Sequence, residues 1–402
     1  MIGPNWTDSP SPRPSPDPQP ARRLRVAVIT GSRAEFGLLR PVMRAIQHRP
    51  ELELLVIAAG SHLISPAETY RDVKREFPIA DAVPMQVAGR TTRADDIEAL
   101  GRGVARFGRA FQRLAPDWVV LLGDRVEPFA AASAASVGGL ALAHIHGGDR
   151  AEGIADEAMR HAITKLAHLH FPATDQSRER ILRMGERPEH VHTVGSPAID
   201  DLESIPPLPE AEFEDLGKPG AVFLLHPTGR AAEHEEMAAS AALEALLAWP
   251  GAGHILALHP NHDAGRDGTL RALEQAAEKN PRRLRLARHL PRPKFVGLLK
   301  RLAGRGGLLV GNSSAALIEA AALRLPAVDI GPRQAGRERA GNIAPATEQP
   351  ESIRAALEAA SRLDRATLAH PYGDGHAGVR IADVLVRINP HDPRLTRKRN
   401  TY

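Results

Sequence analysis

Eighteen consecutive residues, His144 to His161, hold four carboxylates, three histidines, two arginines and three glycines. Core packing has no use for so many titratable groups. Carboxylates and imidazoles at close spacing supply general acids and bases, and glycines let a backbone approach a ligand closely. The stretch follows a β-like apolar run ending at Ile145 and leads into a helical pattern. That is where open α/β sheets bind ligands, beyond the carboxyl end of a strand. Asp156 and Arg160 are four apart and share a helix face, an arrangement that a plain surface ion pair also explains. His144 and His146 alternate as strand residues do. No third ligand stands at a metal-site spacing, so no metal is expected.

Further polar clusters recur at equivalent places. Gly31-Ser-Arg-Ala-Glu-Phe-Gly37 joins a strand-like run to a helix and puts Arg33 where an anion meets helix amides. It is neither a dinucleotide fingerprint nor a Walker loop. Gly123-Asp-Arg-Val-Glu127 follows a buried strand, so Asp124 and Glu127 fall at a sheet edge; a helix cap accounts for Asp124 as well. His226-Pro-Thr228 and His259-Pro-Asn-His-Asp263 each end a later strand. Gly311-Asn-Ser-Ser314 opens a helix with small residues that suit phosphate. Five residues on, Glu319 could accept two hydrogen bonds from a ribose. Gly331-Pro-Arg-Gln-Ala-Gly-Arg337 adds Arg333 and Arg337 beside that cradle.

These clusters need elements to hold them, and the chain supplies an alternating rhythm. Strand patterns cover Arg25–Thr30, Glu53–Ala58, Trp118–Leu122, Leu140–Ile145, Ala221–Leu225, His254–Leu258, Leu308–Val310 and Ala327–Ile330. Helical spacing covers Glu35–Gln47, Ala94–Leu114, Pro128–Val137 and about Ser314–Leu323. This βαβα order predicts α/β architecture with parallel doubly wound sheets. At 402 residues the chain is too long for one ordinary core. A Pro-rich stretch divides it. The expected organisation is a disordered Pro-rich tail (1–23), a first Rossmann-like domain (24–205), a linker (206–220), a second Rossmann-like domain (221–375), a C-terminal helix (376–390) and a basic tail (391–402).

Composition excludes several classes. Cysteine is absent, so no disulfide frame, thiolate zinc site or thiol nucleophile is available. Aromatics at 4% argue against base stacking on single strands. A net charge of +4 spread along the chain reads as solvation plus an anionic ligand rather than nucleic-acid binding. No long uncharged apolar run spans a membrane, and the N-terminus lacks a signal pattern; the expected location is cytoplasmic.

Taken together, Gly31-Ser-Arg-Ala-Glu, Gly123-Asp-Arg, His144-Ile-His-Gly-Gly-Asp, Asp156-Glu157 with Arg160-His-Ala-Ile-Thr-Lys165, Val194-Gly-Ser-Pro197, His259-Pro-Asn261, Gly311-Asn-Ser-Ser314 and Gly331-Pro-Arg-Gln334 resemble the UDP-N-acetylglucosamine 2-epimerase family, and its hydrolysing branch most closely. The resemblance spans roughly Arg25 to Val386. It implies two Rossmann-like domains facing across a cleft (a GT-B-like fold), with the C-terminal helix returning to the first domain. It implies a UDP-sugar ligand, no cofactor, and a homodimer or homotetramer. Arg33, His226, Asn261, Ser313, Ser314, Glu319, Arg333 and Arg337 are the implied substrate-binding residues. Asp124, His146, Asp149, Glu152, Asp156 and Arg160 are the implied catalytic set. Family members often carry Glu where this chain has His146, so Asp149 or Glu152 becomes a candidate for that role. The implied reaction is elimination of UDP to a 2-acetamidoglycal followed by addition of water, giving N-acetylmannosamine. A 2,4-diacetamido-2,4,6-trideoxy sugar nucleotide is the alternative substrate, and non-hydrolysing epimerisation the alternative outcome.

Overall fold

The computed structural model describes residues 22–65, 69–90, 92–150, 156–261 and 263–401, with only the backbone of Asp156. The Pro-rich stretch 1–21 lies outside them, as does Glu152.

The first domain runs β1 (Leu24–Thr30), α1 (Arg33–Gln47), β2 (Leu52–Ala59), α2 (Tyr70–Glu76), β3 (Ile79–Val83), α3 (Arg93–Leu114), β4 (Trp118–Leu122), α4 (Val126–Val137), β5 (Ala141–Ile145), α5 (Asp156–Leu166), β6 (Leu169–Phe171) and α6 (Asp175–Arg183). The second runs α7 (Glu210–Asp215), β7 (Ala221–Leu224), α8 (Ala232–Ala248), β8 (Ile255–Leu258), α9 (Arg266–Lys279), β9 (Leu284–Ala287), α10 (Arg292–Arg305), β10 (Leu308–Gly311), α11 (Ser314–Leu317), α12 (Glu319–Ala322), β11 (Ala327–Ile330), β12 (Ile343–Ala346) and α13 (Pro350–Ser361). Two more helices, α14 (Ala377–Arg387) and α15 (Pro393–Thr396), follow.

Each domain holds one six-stranded sheet, ordered β3-β2-β1-β4-β5-β6 and β12-β11-β10-β7-β8-β9. Neighbouring strands pair in parallel throughout. Central strands such as β4, Trp-Val-Val-Leu-Leu, are buried along their whole length. That is the expected state of a strand covered by helices on both faces. Two apolar cores flank each sheet, one per face.

Strand order fixes where ligands bind. In the first sheet the order reverses between β1 and β4, and in the second between β7 and β10. The crevice beyond the carboxyl ends at such a reversal is the general ligand site of open α/β sheets. The loops entering these two crevices are Gly31–Ser32, Gly123–Arg125, Leu225–Thr228 and Asn312–Ser313.

Three segments differ from the expectations above. The 206–220 stretch carries α7, and its Leu208 and Phe213 lie in a core of the second domain; Leu208 N–H donates to Gly297 O at 2.9 Å. Its prolines therefore shape a packed segment rather than a free connection. The helix expected over Ser314–Leu323 is two short pieces broken at Ile318 (φ −106°, ψ −73°). The basic C-terminal stretch is docked: Leu395 is buried in a core of the first domain together with Ile381 and Leu385 of α14. No described helix is long and apolar enough to cross a membrane.

Candidate functional site

The acid–base cluster of the first domain is built where β4, β5 and α5 converge. Asp124 follows β4 and forms an ion pair with Arg160 of α5. His144, fully buried on β5, ties these elements together. Its Nε2 lies 2.7 Å from Gly123 O and its Nδ1 lies 3.1 Å from Thr164 Oγ. A carbonyl only accepts, so Nε2 carries the proton of the neutral ring. Burial holds the ring neutral, with a pKa lowered to about 3.

His146 follows β5 with φ of 63°, a left-handed conformation uncommon outside glycine. Such strain gathers at functional sites. It aims the imidazole between two partners. Nδ1 lies 2.8 Å from Asp149 Oδ2, and Nε2 lies 2.9 Å from Ser196 Oγ. Asp149 also accepts from Ser177 Oγ at 2.8 Å. Gly148 permits this turn, because its φ is 75° and a Cβ there would stand 2.3 Å from Ser177 O. Burial works to raise the Asp149 pKa, but His146, Arg337 and the Ser177 hydroxyl outweigh it and hold the carboxylate at about 2.

The second domain meets this cluster with positive charge. Gly311 (φ 144°) lets β10 turn tightly against β7; a Cβ there would lie 2.0 Å from Leu224 O. Asn312 then laces the crevice. Its Oδ1 accepts from His226 N–H at 2.7 Å, and its Nδ2 donates to His226 O at 2.8 Å. Ser313 caps α11 through Ala315 N–H, and Ser314 is the first residue of that helix. Arg333 and Gln334 both donate to Asn312 O. His226 Nδ1 accepts from Asn261 N–H at 3.1 Å, which leaves the proton of the neutral ring on Nε2. Burial first, then Arg333, pull the His226 pKa down to about 3.

Across the cleft, Arg337 Nη2 stands 3.6 Å from Asp149 Oδ2. Burial, Arg337 and Arg333 all disfavour charge on Arg160, which is ion-paired to Asp124. The Nε atoms of Arg160 and Arg337 are buried without a hydrogen-bond partner among the described residues. Guanidiniums crowded in this way, each with one unmet donor, suit an anionic ligand.

Two further expected residues have partners outside this cluster. Arg33 begins α1 and faces His289 of the second domain, whose pKa burial and Arg33 lower to about 4. Glu319 is engaged by Arg292 at 3.2 Å, within a group that also holds Asp201. Glu152 and the side chain of Asp156 lie outside the described residues. Among the described residues no three His, Asp or Glu side chains form a metal-ligating group. Sequence reasoning missed Ser196, Ser177 and Arg125. Ser196 lay in the Val194-Gly-Ser-Pro197 motif, but nothing local announces a partner for a histidine fifty residues away. It also missed a buried carboxyl pair at the β1/β4 reversal. There Glu35 accepts from Gly31 N–H at 2.7 Å and Glu127 from Gln86 at 3.0 Å.

Two doubly wound domains thus set a cluster of carboxylates and imidazoles against a crevice lined with arginines. Residues 44–386 match the UDP-N-acetylglucosamine 2-epimerase family. The hydrolysing UDP-N,N'-diacetylbacillosamine 2-epimerase of Legionella pneumophila is 31% identical over 385 residues, covering 94% of this chain and 99% of its own. UDP-N-acetylglucosamine 2-epimerase of Neisseria meningitidis is 31% identical over 351 residues, covering 85% and 88%. Among solved structures, UDP-GlcNAc 2-epimerase of Methanocaldococcus jannaschii, crystallised with UDP-GlcNAc and UDP, superposes with a TM-score of 0.75 at 17% identity, covering 91% and 100%. The chain belongs to the UDP-N-acetylglucosamine 2-epimerase family.

Proposed function

We propose that this protein is a hydrolysing 2-epimerase that converts UDP-N-acetylglucosamine and water to N-acetylmannosamine and UDP, supplying sialic-acid-type sugar synthesis. The observation that carries this reading is the approach of Arg337 to Asp149 at 3.6 Å. It brings a guanidinium, a group suited to phosphate, beside a carboxylate–imidazole pair, so that the leaving diphosphate and the neighbouring ring carbon would share one space.

The chemistry requires both. The C2–H bond of a 2-acetamido sugar is not acidic. As the C1–O bond to UDP breaks, its electron pair leaves with the diphosphate oxygen and C1 gains cationic character. A base then takes the C2 proton, and the freed pair forms the C1=C2 bond of the glycal. Water adds its oxygen to C1, and C2 takes a proton on the opposite face. Arg160, Arg333, Arg337 and the α11 amides at Ser313–Ser314 stabilise the departing charge. Asp124, His146 and Asp149 are the proposed proton carriers, with Asp156 and Glu152 added by the family motif. Each positioned acid or base contributes ~10²–10⁴-fold.

A second substrate is favoured by one observation. The Legionella relative, which matches 94% of this chain, is named for a diacetamido sugar nucleotide. Incubation with each UDP-sugar in D₂O, followed by proton NMR, decides. Free N-acetylmannosamine deuterated at C2 supports the first reading. Release of the free epimer from the diacetamido sugar alone supports the second. Epimerised sugar still joined to UDP rejects hydrolysis.

A further inference from the structure

Ser196 occupies an unusual place. It lies on the segment that leaves the first domain, and its N–H donates 2.9 Å to the carbonyl of Tyr372, on the segment that comes back. It is fully buried. Its hydroxyl faces His146 Nε2 at 2.9 Å and accepts from Ala198 N–H at 3.2 Å. Asp149, His146 and Ser196 therefore form a continuous hydrogen-bonded row from the Arg337 contact to the interdomain crossover.

The tautomer follows from the partners. Asp149 is an ionised carboxylate and only accepts, so Nδ1 of His146 carries a proton in either charge state. Nε2 is then the site that gains or loses one. A neutral ring needs a donor opposite Nε2, and a charged ring needs an acceptor. A hydroxyl serves both by rotating about its C–O bond. Most other side chains would satisfy one state and leave the other with an unmet buried group costing about 1–3 kcal/mol.

We infer that Ser196 is a positioning residue that holds the His146 ring in one place, Nδ1–H toward Asp149, whichever charge the ring carries, and that ties this hold to the crossover between the domains. The inference rests on the proposed epimerase chemistry. It assigns Ser196 no nucleophilic role: the hydroxyl is enclosed, and the reaction written above needs no covalent intermediate on the protein.

The test is Ser196→Ala beside wild type, with substrate protiated or deuterated at C2. The expected result is a kcat lowered about 10–100-fold, KM and UDP affinity within about twofold, and a larger isotope effect on kcat. Ser196→Thr keeps the hydroxyl and should recover most of the rate. Wild-type kcat in Ser196→Ala overturns the inference, as does a loss that follows weakened UDP binding with no change in isotope effect. So does labelling of Ser196 by a serine-directed fluorophosphonate. A wild type that turns over no UDP-2-acetamido sugar instead overturns the epimerase reading. Imidazole nitrogen NMR then still judges the row by itself: His146 must carry Nδ1–H at every pH where it is neutral, and a proton on Nε2 alone rejects it.

Discussion

Arg125 of the first domain donates to Asp263 of the second at 3.0 Å, bridging the cleft one residue after Asp124. Asp263 also accepts from Asn261 at 2.5 Å. The bridge thus links the turn carrying an acid–base candidate to the loop that orients His226. Asp263→Asn should raise KM for the UDP-sugar about 3–10-fold with a smaller change in kcat, because it weakens closure rather than chemistry. The pair is partly exposed, so the effect should shrink at high salt. Initial rates at two ionic strengths measure this; an unaltered KM at low salt would count against the bridge.

Asp124 faces a buried guanidinium, so its charge matters twice. Asp124→Asn should reduce turnover at least 10²-fold while UDP affinity stays within a few fold. It should also lower stability, by at most about 3–5 kcal/mol, since Arg160 loses its counter-charge. Asp156→Asn should likewise abolish turnover without loss of UDP binding. Calorimetry with UDP and the D₂O assay separate the two effects; wild-type rates in both variants would refute the assigned roles.

Arg337 is expected to act on the nucleotide side. Charge-assisted contacts to phosphate contribute about 1.5–3 kcal/mol, so Arg337→Met should weaken UDP binding about 10–150-fold. Its loss also removes one of the influences holding Asp149 low. Titration with UDP tests the first effect, and unchanged affinity would place the diphosphate elsewhere.

Stability should respond to pH on both sides. Burial lowers the pKa of His62, His144, His168, His170 and His226 to about 3 or 4. Depressed folded values mean that stability is present above the ordinary pKa of 6.5 and is lost as pH falls below it. Each such histidine adds a slope of about 1.4 kcal/mol per pH unit in that window. Glu35 has the opposite sign. Burial and then Glu127 raise its pKa to about 8, so its contribution is present below 4.5 and is lost as pH rises toward 8. Thermal melts should show Tm falling steeply from pH 6.5 to 4.5. Glu35→Gln should gain stability relative to wild type at pH 8, and equal melts there would contradict the buried carboxyl pair.

Lys398 seals the end of α5. It donates to the carbonyls of Thr164 and Ala167 and pairs with Glu186 at 2.8 Å. A cation at a helix C-terminus satisfies unpaired carbonyls and suits the helix dipole. Lys398→Met should cost about 1–3 kcal/mol by chemical denaturation. A neutral result would mean that Lys165, also paired with Glu186 at 2.7 Å, carries the site alone.

The parts legible in the sequence are those with strong local signals. Continuous apolar runs marked β1, β2, β4, β5, β7, β8, β10 and β11. The four strands missed, β3, β6, β9 and β12, are the four sheet edges. Edge strands are short and tolerate polar residues and proline; β6 has three residues, and β12 contains Pro345. Loops that enter the two crevices were legible where a glycine turn follows a strand, as at Gly123–Asp124 and Gly311–Ser314. Pairings across long sequence distances were not. No spacing rule brings Ser196 to His146, or Arg292 to Glu319. Leu208 and Phe213 escaped because four prolines nearby read as a connector, although apolar residues between prolines can still bury themselves.

The docking of α14 and Leu395 into a core of the first domain has a consequence for biosynthesis. Segments made after the second domain supply Ile381, Leu385 and Leu395 to the layer that covers the first sheet. During translation the N-terminal half emerges with that layer unfinished, and it stays so until α14 and Leu395 have been made. The nascent protein thus exposes apolar surface for the whole time its second half is being made, which is the interval in which chaperone protection counts.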